Sequence, residues 1–114
     1  MENFKFSYNK ENDDLFVYLE GARSKGGVEL GNFVFDFDKN ENLVAFQIFE
    51  ASKVLKQLLT KIEEISKIKE FKADVINFRN MATIKINVAT DEESDSANII
   101  IPQIRGEKSP AISY

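Results

Sequence analysis

The stretch Leu43-Val44-Ala45-Phe46-Gln47-Ile48-Phe49-Glu50-Ala51-Ser52-Lys53-Val54-Leu55 decides the fold, because the hydrophobic period changes inside it. From Leu43 to Phe49 nearly every position is apolar, as in a strand buried on both faces. From Ala51 onward, Val54, Leu55, Leu58, Leu59, Ile62, Ile65 and Ile68 recur at three- and four-residue steps. That spacing predicts an amphipathic helix of roughly five turns over residues 51–69. Ser52 or Glu50 would cap or charge its start, and Lys67 and Lys69 would face the negative end of its dipole.

Upstream, the pattern alternates with a period of two. Phe4, Phe6 and Tyr8 share one face of a first strand, and Asn9 to Asp13 form a polar turn. Leu15, Val17 and Leu19 then oppose Phe16 and Tyr18. Val28 and Leu30 mark a short third strand between Gly26-Gly27 and Gly31-Asn32. Phe33, Phe35 and Phe37 mark a fourth, and Lys39 to Asn42 a further turn. Downstream of the helix, Lys72 to Phe78 reads as a strand and residues 77–80 as a turn. Ala82, Ile84, Ile86 and Val88 give the next strand, Asp91 to Ser96 a polar loop, and Ala97 to Ile101 a last strand ended by Pro102. The expectation is one α+β domain over residues 1–114, mainly antiparallel sheet. It comprises a β-meander of about five strands over 4–52, the helix over 51–69, about three strands over 71–104 and a tail over 105–114.

Composition limits the chemistry. The 114 residues contain no histidine and no cysteine. The usual general base at neutral pH, the commonest metal ligand and the strongest nucleophile are therefore missing. Ten phenylalanines and three tyrosines supply the core without a disulfide or a metal. The net charge of −4 argues against a nucleic-acid partner, which would need a basic face. No apolar run is long enough for a membrane span, and the N-terminal residues lack the pattern of a signal peptide, so the expectation is a soluble cytoplasmic chain with no membrane partner.

Two blocks carry a family resemblance. The first is Tyr8, Asn9, Glu11, Asp13, Leu15, Phe16, Val17 and Leu19; the second is Asp36, Asp38, Leu43, Val44, Phe46, Ile48, Ala51 and Ser52. Over about residues 4–52 they resemble a widespread family of small domains of unknown function, domain of unknown function 2283. Its members read Tyr-Asp-x-Glu-x-Asp-x-Leu-Tyr-Ile-x-Leu, then Asp-x-Asp-x-x-Gly-x-Leu-Val-Gly-Ile-Glu-Ile, then Ala-Ser. The chain departs from that pattern at Asn9, at Glu41 and Ala45, where the family has glycine, and at Gln47. The family brings no established activity. Some members look like companions of small toxin-like proteins, which implies a protein-binding role. From about Phe71 the chain is an extension that the resemblance does not place.

Several groups are weighed as sites. Asp36, Asp38, Asn40 and Asn42 have the alternate oxygen spacing of a calcium loop, but Glu41 and Gln47 break its pattern, and an Asx-stabilised hairpin is the preferred reading. Asp91, Glu92, Glu93 and Asp95 suit a weak cation site or a solvated loop. Glu11, Asp13 and Asp14 are close carboxylates in a polar turn, where exposure leaves them simply ionised. Lys53, Lys56, Lys61 and Lys67 alternate with Glu63 and Glu64, as on a solvated helix face. The serines Ser7, Ser24, Ser66, Ser96 and Ser109 and Thr60 have no histidine to activate them.

The fifth strand carries the favoured reading. Its alternation sends Val44, Phe46 and Ile48 one way and Leu43, Ala45 and Phe49 the other, so both sheet faces read as apolar. One helix covers one face. Either the C-terminal strands fold back over the second as a sandwich, or Phe16, Tyr18, Val44, Phe46 and Ile48 meet a second copy or another protein. The function expected is a non-enzymatic interaction module without cofactors, homodimeric, that binds or neutralises a partner protein. The alternatives are a small-ligand or calcium-binding module and, more remotely, an enzyme working through carboxylates or lysine.

Overall fold

The computed structural model describes residues 2–78 and 81–102. Among these residues, eight strands and one α-helix follow in order: β1 Glu2–Asn9, β2 Asp14–Tyr18, β3 Gly26–Leu30, β4 Phe33–Phe37, β5 Leu43–Ile48, α1 Ala51–Leu58, β6 Glu70–Phe78, β7 Met81–Ala89 and β8 Ser94–Pro102. All pairings are antiparallel, in one sheet ordered β3-β4-β5-β2-β1-β6-β7-β8. The α+β class and the mainly antiparallel sheet are therefore as the sequence predicts. Within the first five strands, β3-β4-β5 form a meander and β5 lies beside β2, which leaves β3 at the sheet edge. The C-terminal strands do not fold back as a second layer. They extend the same sheet, because β1 pairs with β2 through Lys5–Asn9 and with β6 through Glu2–Phe4. Of the turn expected at residues 77–80, Asn77 and Phe78 instead continue the β6 ladder opposite Ala82 and Met81, and residues 79–80, like the tail over 105–114, lie outside the described residues.

The sheet curls strongly about β1. Two strands separate β5 from β6, yet the rings of Phe46 and Phe71 meet edge to face with centroids 6.3 Å apart. Phe4 stands 6.1 Å from Phe46, and Phe6 stands 5.1 Å from Phe71. This aromatic cluster joins both halves of the sheet in one core. Each fully buried phenylalanine contributes roughly 1.5–3 kcal/mol by leaving water.

The helix is shorter than its hydrophobic pattern. It ends at Leu58; Leu59 is extended, and only a single 3-10 turn follows, at Ile65–Lys67. Leu59, Ile62, Ile65 and Ile68 are all buried, so the apolar spacing reports burial correctly but not conformation. Two causes act together. The segment is rich in β-branched Thr60, Ile62, Ile65 and Ile68, which lose side-chain freedom in a helix. The Asp95 carboxylate also takes the Thr60 and Lys61 N–H groups, at 2.8 and 2.7 Å, and so diverts them from helical partners. Among the described residues, no helix is long and apolar enough to cross a membrane.

Candidate functional site

Asp13 organises the first polar centre. It sits in the β1–β2 turn with φ 54°, a left-handed conformation that aspartate tolerates better than most residues. Its carbonyl accepts the Ala51 N–H at 2.8 Å. Its carboxylate accepts the Ser52 N–H at 3.0 Å, the Ser52 hydroxyl at 2.6 Å and the Tyr8 hydroxyl at 2.5 Å. The first N–H groups of a helix have no partner within it. Here a residue distant in the chain supplies the cap. Glu50, at the position before the helix, is left-handed with φ 52° and caps nothing with its side chain, and Ser52 receives the cap rather than providing it. Burial pushes the Asp13 carboxyl up, but the hydrogen bonds from Ser52 and Tyr8 outweigh it and hold the group below the usual carboxylate range. The same bond raises the Tyr8 phenol. Tyr8, Asp13 and Ser52 thus form a clamp whose acceptors are already engaged.

The other sequence candidates separate. Both Asp38 oxygens are taken by the β4–β5 turn: Oδ1 accepts the Asn40 and Asn42 N–H groups at 2.8 and 2.9 Å, and Oδ2 accepts the Asn42 side-chain amide at 3.2 Å. Asp36 lies on β4 between Gly27 and Ala45. That is an Asx-stabilised hairpin. Asp95 leaves the acidic cluster to hold Thr60 and Lys61; burial pushes it up, and backbone N–H groups led by that of Lys61 bring it below the ordinary range. Asp91, Glu92 and Glu93 are exposed, as are Glu11 and the lysines Lys53, Lys56, Lys61 and Lys67. Asp14 opens the β2 ladder opposite Asn9. Ser7, Ser24, Ser66, Ser96 and Thr60 are exposed, and Ser109 lies outside the described residues.

The five interface candidates fall on two different faces. Phe46 and Ile48 pair with Val17 and Leu15, and both are fully buried in the core; Val44 is buried too. Phe16 and Tyr18 pair with Gln47 and Ala45 on the opposite, outer face. The five therefore do not share a surface. The register pairs Phe16 with Gln47 rather than with the face of Phe46, and a register shift between β4 and β5 sets Leu43 opposite Phe37 and in the core, not on the face of Ala45 where strict alternation puts it. The outer face is also not apolar throughout. It carries Lys5, Ser7, Asp36, Gln47, Lys72, Asp74, Lys85 and Asn98, as a solvent-facing antiparallel sheet does.

Two apolar islands interrupt that polar face. In the first, Phe16 is 43% exposed and stacks on Tyr18 with centroids 5.1 Å apart and planes 17° apart. Ala45 lies beside Tyr18, and Val34 lies across Gln47 from Phe16. The second was not foreseen. Ile76, Thr83 and Ile100 face one another across β6, β7 and β8, with Ile76 50% and Ile100 54% exposed, and Met81 is exposed beside them. Counting alternation from Asp74 would have placed Ile76 on the outer face, since residues two apart share a side.

The comparisons with known proteins fit this division. Residues 5–52 match the family described as protein of unknown function (DUF2283). That stretch runs from β1 to Ser52, so it encloses Tyr8, Asp13 and Ser52, while β6–β8 lie outside it. An uncharacterized protein of Methanocaldococcus jannaschii is 41% identical over 71 residues, which cover 56% of this chain and 61% of that protein. A Methanosarcina mazei protein, named provisionally as a hypoxanthine phosphoribosyltransferase, is 28% identical over 71 residues, covering 62% of this chain and 55% of that protein. The chain thus spans less than two thirds of the length of either relative. No solved structure matches.

Proposed function

We propose that this chain is a non-enzymatic interaction module that docks through the outer face of its sheet, with a second copy of itself as the partner. One observation carries the reading: the Phe16–Tyr18 pair stands on a sheet face that no layer covers among the described residues, while the opposite face is buried. A half-exposed aromatic ring on a strand gains most from association when a like surface can close over it. A two-fold pairing of such a patch is self-complementary. The family name assigns no activity, and the transferase named for one relative is not carried over, because the shared stretch covers 55% of that relative.

Sedimentation velocity over a concentration series tests the reading, with the wild type and Phe16→Asp run side by side. The wild type is expected to sediment as a dimer and the variant as a folded monomer. A wild type that stays monomeric at high micromolar concentration would remove this reading.

A further inference from the structure

Resting on the dimer proposed above, we infer that the second copy docks in one register: Lys5 of each copy meets Asp36 of the other, and Tyr18 of each lies over Ala45 of the other. The register follows from one row of residues that crosses four strands. Asp36 pairs with Ala45, Ala45 with Tyr18, and Tyr18 with Lys5, from β4 through β5 and β2 to β1. Residues paired in this way share a face of the sheet. Along the outer face the row runs negative, small, large, positive. Turned end for end it runs positive, large, small, negative. A two-fold axis that lies in the interface, along the strands and midway between β5 and β2, sets each member on its complement.

Asp36 is half-buried, and among the described residues its carboxylate has no hydrogen bond or ion pair. A charge partly withdrawn from water gains from a counter-ion. Gly27 stands beside it, where a Cβ would meet Asp36 Oδ1 at 2.7 Å, so this flank of the carboxylate carries no side chain. Ala45 is buried between taller neighbours although it lies outside the core cluster, which makes it the low point of the row. Tyr18 rises next to it, stacked on Phe16. Lys5 is exposed and pairs with Glu20, and an ammonium with three donors can hold both carboxylates. The adjacent row obeys the same rotation, with Phe16 over Gln47 and Val34 over Ser7 of the other copy. An axis on β5 would instead set Asp36 on Tyr18 and Lys5 on Gly27. An axis on β2 would set Tyr18 on Tyr18 and Lys5 on Ala45. Of the three, the midway axis alone matches charge and size together.

The test is sedimentation velocity of the full chain at low salt. The wild type is compared with Lys5→Asp, with Asp36→Lys, with the double variant and with an equimolar mixture of the two single variants. Each single reversal sets like charges together at both contacts and is expected to raise the dimer dissociation constant by at least about tenfold. The double variant and the mixture restore opposite charges at both contacts and are expected to return to within about threefold of the wild type. Should Asp36→Lys lose the wild-type circular dichroism spectrum, Lys5→Gln and Asp36→Asn carry the test: each should weaken the dimer, and the two together no more than either alone. Single variants as tight as the wild type, a mixture and double variant as weak as the single variants, or additive losses for the neutral pair would each overturn this register and leave the Phe16 dimer standing. A monomeric wild type would overturn both, so the two failures are told apart.

Discussion

The two halves of the sheet are built by different means. β1–β5 are strands of five to eight residues joined by turns that depend on particular side chains. Asp13, Glu41 and Glu50 take left-handed conformations there, and Gly31, with φ 57°, opens the two-residue hairpin between β3 and β4. β6–β8 are strands of nine residues each, paired without a register shift. β7 alternates buried and open positions along its whole length. The first half leans more on turn chemistry and the second on long, regular alternation, although the Thr90 hydroxyl also holds the turn before β8 by accepting the Glu92 and Glu93 N–H groups. The family match, residues 5–52, lies in the first half. Each half also contributes one aspartate to the segment between them. Asp13 fixes the start of α1, and Asp95 fixes the chain just past its end.

The largest test of this contrast acts where the halves meet. Phe46 is fully buried, and its ring contacts those of Phe4, Phe35 and Phe71. Phe46→Ala should cost about 3–5 kcal/mol in urea unfolding. Hydrogen exchange should then quicken in β4 and β7 alike. Loss confined to β1–β5 would mean that the halves unfold separately.

Asp13→Ala comes next, with an expected loss of about 2 kcal/mol, because the Ala51 and Ser52 N–H groups and the Tyr8 hydroxyl depend on that turn. Ser52→Ala removes a single hydroxyl bond and should cost about 1 kcal/mol. Equal losses would show that the hydroxyl rather than the cap dominates.

Acid probes both clamps at once. Asp13 and Asp95 are held below the usual carboxylate range in the folded chain. Their contribution is complete above the unfolded value of about 4 and is lost as pH falls through the lower folded values. Urea midpoints should therefore drop below about pH 4 in the wild type. Asp13→Asn and Asp95→Asn should start lower and fall less steeply. A wild-type profile flat to pH 3 would contradict this.

The smallest effect tests the turns. Glu41 holds φ 64° where the family has glycine. Glu41→Gly should stabilise the chain by about 0.5–1 kcal/mol, read as a raised urea midpoint.

Much of the architecture was legible in the sequence. Alternation marks the strands because side chains two apart share a face, and the core residues Leu15, Val17, Phe35 and Ile84 follow from it. Three things were not legible. The length of α1 depends on Asp95, which lies 34 residues beyond Lys61 in the chain. The relation of Phe16 to Phe46 depends on the register between β2 and β5, and a one-residue shift moves a side chain to the other face. The role of Asp13 depends on the helix start being brought to the β1–β2 turn. Each is a long-range fact that local pattern does not contain. The family motif held the third in disguise, since Tyr8, Asp13 and Ser52 are all among its residues.

Each half fixes one end of the connecting segment with one carboxylate. Amide hydrogen exchange on the wild type, Asp13→Asn and Asp95→Asn tests it directly. Asp13→Asn should speed exchange at Ser52, whose N–H bonds the carboxylate, and leave Thr60 and Lys61 protected, and Asp95→Asn should do the reverse. Unchanged rates at those three amides in both variants would contradict this.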